Sequence, residues 1–250
     1  MKKLTKLFVS LFIVTVLAFS MSACSKKVTV TFDATGGIVS PITCKYQTDK
    51  DYSLPTPIRQ GYTFVKWQYG EQDIAMEGVW TIKKNATLKA VWEPITYDIK
   101  LSYEDDEGQK TEELTVTYGE DFELKQPTKI GHTFAGWYYD DKIVVDGKWE
   151  ITGENIVLTA KWEANSYNIT FDLKGGYFAE AYKNLKTVVF KYGQTYDLSI
   201  YGAYHKTGET KPIWVARGEG WSRGVSESGV WLFTEDVILE ASWGEYFPVP

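Results

Sequence analysis

The chain has 250 residues, with 33 acidic and 27 basic side chains and a formal net charge of −6. That balance excludes the basic surface a nucleic-acid binder needs to neutralise phosphates. Two cysteines exclude a disulfide framework, and two histidines leave little material for a catalytic triad or a metal site.

The first segment reads as an address rather than as fold. Lys2, Lys3 and Lys6 precede an apolar run from Leu7 to Phe19. Those 13 residues fall short of the about 20 that a bilayer-spanning helix needs. Met21-Ser22-Ala23-Cys24 then resembles a bacterial lipobox. The resemblance implies cleavage before Cys24 and diacylation of its thiol. Ser25-Lys26-Lys27 follows as a polar tether. The mature chain is then expected outside the cytoplasm, lipid-anchored to the cell membrane. With Cys24 acylated, Cys44 has no partner, and its alternation with Ile42 and Tyr46 points it into a core.

Three stretches then open alike. Val28 to Phe32, Tyr97 to Leu101 and Tyr167 to Phe171 alternate apolar with polar residues, as half-buried strands do. Glycine-bearing turns follow: Asp33 to Gly37, Glu104 to Gly108 and Asp172 to Gly176. Second strands run through Tyr46 to Leu54, Tyr118 to Leu124 and Tyr192 to Leu198. Pro55, Pro57 and Pro127 break the strands and lead into the next phrase.

That phrase is Gly61-Tyr62-Thr63-Phe64-Val65-Lys66-Trp67, repeated as Gly131-His132-Thr133-Phe134-Ala135-Gly136-Trp137. A degraded third copy is expected to end in Gly220-Trp221. Each stretch closes on Leu88 to Trp92, Leu158 to Trp162 or Leu239 to Trp243. A fixed period of about 70 residues indicates an array of like modules. The expected organisation is a leader over 1–23, a lipidated tether over 24–27, modules over 28–93, 94–163 and 164–244, and a tail over 245–250. The modules are mainly β, since no segment after Ser25 carries a helical apolar period. The alternative is α+β modules with one short helix each.

The strand-Asp-x-x-Gly-Gly opening, the Tyr-Gly pair, the Gly-Tyr-Thr-Phe-x-x-Trp phrase and the closing Leu-x-Ala-x-Trp together resemble the internalin B-type, or Listeria-Bacteroides, repeat. The resemblance covers nearly all of Val28 to Trp243. It implies small β-grasp-like modules on a bacterial surface protein, used as stalk or adhesive units, with no catalytic residues.

His132 fills the slot of Tyr62, a structural position, and His205 lies in a polar loop. Neither belongs to a catalytic motif, and no enzyme activity, cofactor or metal is expected. Glu104-Asp105-Asp106-Glu107 lacks calcium-loop spacing and reads as a solvated hairpin tip. Phe64, Trp67, Trp92, Phe134, Trp137, Trp162 and Trp243 recur at shared positions and are expected in module cores. Tyr201, Tyr204, Trp214 and Trp221 belong to the divergent third module, where a ligand surface is expected if one exists. The expected role is a monomeric, non-catalytic spacer or adhesive display. Its partners are the membrane, through the lipid, and a cell-wall or host glycan or protein. The alternative is glycan binding through the aromatics of the third module.

Overall fold

The computed structural model describes residues 26–206, 208 and 211–244. The expected leader, Cys24 and the tail over 245–250 lie outside the described residues. The chain divides into two compact units, residues 1–93 and 94–250.

The first unit is built from β1 (Lys27–Asp33), β2 (Thr43–Gln47), β3 (Asp51–Ser53), β4 (Tyr62–Tyr69), β5 (Gln72–Ile74), β6 (Glu77–Val79) and β7 (Ala86–Pro94). Its main sheet has the order β2-β1-β7-β4-β5, and β3 pairs with β6 as a separate ribbon. The first strand and the last lie side by side and parallel at the centre, with Val30 opposite Ala86. Alternation decides the faces. Val28, Val30 and Phe32 of β1 are buried, as are Leu88 and Ala90 of β7. The intervening threonines and lysines meet water. Trp67, Trp80 and Leu54 complete this core, with Cys44 half-buried against its edge.

The second unit repeats the plan twice. Its first sheet uses β8 (Thr96–Asp105), β9 (Gly108–Thr117), β11 (His132–Tyr139), β12 (Lys142–Val144) and β14 (Val157–Ala164), with a ribbon of β10 (Asp121–Phe122) and β13 (Gly147–Lys148). Its second uses β15 (Ser166–Asp172), β17 (Thr187–Lys191), β20 (Ile213–Gly218), β21 (Trp221–Val225) and β23 (Val237–Ser242). Two ribbons accompany it: β16 (Tyr177–Phe178) with β19 (Ala203–Tyr204), and β18 (Thr195–Asp197) with β22 (Ser228–Val230). The parallel central pair recurs as β8 with β14 and β15 with β23. Each sheet closes its own cluster of buried side chains.

The chain is therefore mainly β. Among the described residues the helical segments are two 3-10 turns, Glu180–Tyr182 and Leu198–Tyr201, both in the last module. The alternative of one short helix in every module is thus corrected. Large aromatic rings on the ribbons and loops fill the space over each sheet. Trp80, Trp149 and Trp231 are fully buried there.

Register also corrects the alignment of the third module. Trp67 pairs with Ile74 and Trp137 with Val144 across a tight hairpin. The tryptophan in that place in the third module is Trp214, opposite Val225. It also faces Ala241 as Trp137 faces Ala160. The β20–β21 hairpin is longer and continues to Gly218 opposite Trp221. Trp221 is therefore a hairpin-tip residue and not the third copy of Trp67.

Candidate functional site

The loop after the first strand decides what each module presents. In the first module the Thr35 N–H donates to Asp33 Oδ1 at 2.9 Å. In the third the Lys174 N–H donates to Asp172 Oδ1 at 3.0 Å. Gly36 and Gly175 then take φ of +85° and +91°, a conformation costly for any residue with a Cβ. The closing tryptophans fasten these loops. Trp92 Nε1 donates to Ala34 O, and Trp243 Nε1 donates to Leu173 O, both at 2.8 Å.

The residue after each Gly-Gly pair then meets the strand from the far loop. Ile38 bridges Ile58 in the first module, and Tyr177 pairs with Tyr204 in the third. These positions face solvent. Ile38 and Ile58 are 72% and 69% exposed, Tyr177 and Tyr204 52% and 37%. The two tyrosine rings lie 5.8 Å apart and near parallel, at 26°. Beside them His205 stacks on Trp243 at 5.3 Å and 28°. His205, expected in a polar loop, is thus half-buried against a ring.

Of the four aromatics expected on a ligand surface, the fold brings only Tyr204 to this tip. Trp214, 3% exposed, packs its ring on Phe171 within the core. Tyr201 is 8% exposed and contacts Phe171 and Tyr182, and burial pushes its hydroxyl pKa up. Both are core residues, because β20 and the 3-10 turn direct them inward. Trp221 lies flat on Phe233 at 5.5 Å and 11°, and its Nε1 donates to Glu235 Oε1. Tyr177 is the residue that sequence reasoning passed over. The available signal was its place directly after Gly175-Gly176, matching Ile38 after Gly36-Gly37.

The middle module replaces the Gly-Gly loop with a two-residue turn, Asp106-Glu107, between β8 and β9. Its acids are tied locally. Glu104 meets Lys129 at 2.8 Å, and that bond holds the Glu104 carboxyl below its ordinary pKa. Asp106 Oδ1 accepts from the Ile130 N–H at 2.9 Å, and Glu107 meets Lys110 at 2.7 Å. No metal-ligating cluster occurs among the described residues. With no loop carbonyl to meet it, the buried Trp162 Nε1 lacks a hydrogen-bond partner.

The recurring aromatics are placed as a repeated core requires. Trp67 and Trp137 are buried, and their Nε1 atoms donate to Pro55 O and Lys125 O, both at 2.9 Å. Phe64, Trp92, Phe134, Trp162 and Trp243 pack half-buried against the same clusters.

The junction between the two modules of the second unit is also built. Asn165 N–H donates to Gly131 O, and Tyr192 N–H donates to Asn165 O, each at 2.9 Å. Thr133 Oγ1 donates to Asn165 Oδ1 at 2.6 Å. The Tyr192 ring packs against Gly131 and meets the His132 ring edge-on at 5.5 Å. His132 Nδ1 lies 2.8 Å from Ile130 O, so this histidine serves the junction.

Comparison with known proteins agrees with this repeated plan. A family model described as the Listeria-Bacteroides repeat domain matches residues 29–91 and 100–161. A protein of Evansella cellulosilytica named "Putative membrane protein" is 30% identical over 221 residues, 85% of this chain. A second from that organism, named "Putative Gly-rich membrane protein", is 33% identical over 119 residues, 45% of this chain. The chain spans 30% and 13% of the lengths of these two relatives.

Proposed function

We propose that this chain, which belongs to the Listeria-Bacteroides repeat domain family, is a non-catalytic spacer and display protein held at a bacterial membrane by lipid on Cys24. The junction at Asn165 carries this reading. A display stalk must hold successive modules at a set angle, and here the linker is fixed by backbone bonds, a threonine and a packed tyrosine ring. Without those contacts the two modules could turn about Asn165, the single residue between β14 and β15. The names of the two relatives support the membrane association.

Two experiments test it. Cys24→Ala should abolish incorporation of a fatty-acid analogue and release the protein from the membrane fraction. Equal labelling and retention in both chains would refute the anchor. Gly131→Ala should loosen the junction, because the added Cβ would lie 2.1 Å from Tyr192 Cγ, at a φ of +69°. Residual dipolar couplings should then no longer fit one orientation for the second and third modules. A single shared orientation in the variant would count against the rigid-spacer reading.

One observation favours glycan binding as a second reading. Tyr177 and Tyr204 form an exposed, near-parallel pair, and flat rings stack on sugar faces. Tyr177→Ala with Tyr204→Ala should reduce retention on purified peptidoglycan about tenfold, with a melting temperature within a few degrees of the parent. Undiminished retention removes this reading.

A further inference from the structure

We propose that β9 is the docking edge for a second copy of this chain, whose own β9 adds antiparallel across Thr111. β9 is a long edge that no other described strand covers. β9 is the last strand of its sheet, and all ten of its residues pair with β8 without a break. The other edge strands of the three main sheets, β2, β5, β12, β17 and β21, have three to five residues. β9 contains no proline and no bulge, two of the devices that normally blunt an edge.

Parity fixes which groups are open. The two-residue turn makes Asp105 and Gly108 the closing hydrogen-bonded pair. Hydrogen-bonded and non-bonded pairs alternate along an antiparallel ladder. Even-numbered residues of β9 therefore bond to β8, and the Tyr118 N–H bond to Ile95 O continues the pattern. Gln109, Thr111, Glu113 and Thr115 direct their backbone N–H and C=O outward. No strand among the described residues takes them up.

Charge selects the occupant and the register. Lys110 and Glu112 lie on one face of β9, opposite Tyr103 and Leu101. With a two-fold axis at Thr111, Lys110 of each copy faces Glu112 of the other, and Gln109 faces Glu113. An axis at Lys110, Glu112 or Glu113 instead brings like charges together, which is unfavourable in directly opposed positions. Charges that repel a general strand thus favour this self-complementary arrangement, which sets Lys110 against Glu112 twice. The lysine keeps donors to spare beyond its bond to Glu107. Pairing in this register joins two five-stranded sheets into one of ten.

Sedimentation velocity of the full chain in non-ionic detergent tests the proposal by charge exchange. The parent should form dimers. Lys110→Glu and Glu112→Lys should each weaken dimerisation about tenfold or more, since each turns two opposite-charge pairs into two like-charge pairs. Mixed one to one, the two variants should form a heterodimer, because every facing pair is again of opposite sign. Thr111→Pro should also give monomers while leaving the sheet folded, since its N–H points away from β8. A parent chain that stays monomeric at every soluble concentration overturns the proposal. So do single variants that dimerise like the parent, or a mixture that fails to recover the dimer.

Discussion

Trp214→Ala should unfold the third module while the other two persist. Trp214 lies at the centre of its core, against Phe171 and opposite Ala241. Removing a buried indole costs about 3–5 kcal/mol, because the cavity it leaves closes only in part. A module of some 80 residues holds about 4–12 kcal/mol in all. Trp221→Ala should cost about 1 kcal/mol, since it loses one stacking partner and one surface hydrogen bond. Hydrogen exchange read by mass spectrometry separates the modules. Peptides from 166–242 should lose protection in Trp214→Ala and keep it in Trp221→Ala. Equal loss in both variants would return Trp221 to the core position and undo the register-based alignment.

The second large effect concerns the second glycine of each Gly-Gly pair. A Cβ on Gly176 would lie 2.4 Å from Trp243 Cζ2 and 2.7 Å from Tyr204 O. One on Gly37 would lie 2.7 Å from Trp92 Cζ2 and 2.6 Å from Ile58 O. Neither obstacle yields readily. The carbonyls belong to paired backbone, and each indole is fastened by its bond to the loop. Gly37→Ala and Gly176→Ala should therefore each cost about 1–3 kcal/mol and shift tryptophan fluorescence. Gly193 has open space around its missing Cβ and only its φ of +75° to maintain. Gly193→Ala should cost about 1 kcal/mol, the general penalty of left-handed backbone. Urea unfolding measures all three. If Gly176→Ala is no worse than Gly193→Ala, the indole contact does not hold the loop.

Local pattern made much of the fold legible. Val28, Val30 and Phe32 alternate with threonines, and that alternation alone sends them to one face. Trp67 and Trp137 share a phrase and a place in the core, as side chains facing the same repeated sheet must. The candidate surface was far less legible. Trp214 looked unmatched because residue spacing was counted through a lengthened hairpin. An insertion at a hairpin tip shifts every later number without moving the paired residues beneath it. Tyr201 was hidden for a different reason: nothing local says that a 3-10 turn rotates it inward.

The sequence by itself determined the repeat period, the β class, the alternating faces and the aromatic load of the cores. These depend on neighbours one or two residues away, or on repetition. Only the tertiary structure decided the rest. Tyr177 and Tyr204 stand far apart in sequence and meet through backbone pairing. Asn165 becomes a clamp when Gly131 and Tyr192 converge on it. β9 is an edge because β8 takes one of its sides and no described strand takes the other. Each of these is a contact between distant segments, fixed by which strands share hydrogen bonds, and a linear pattern does not record that choice.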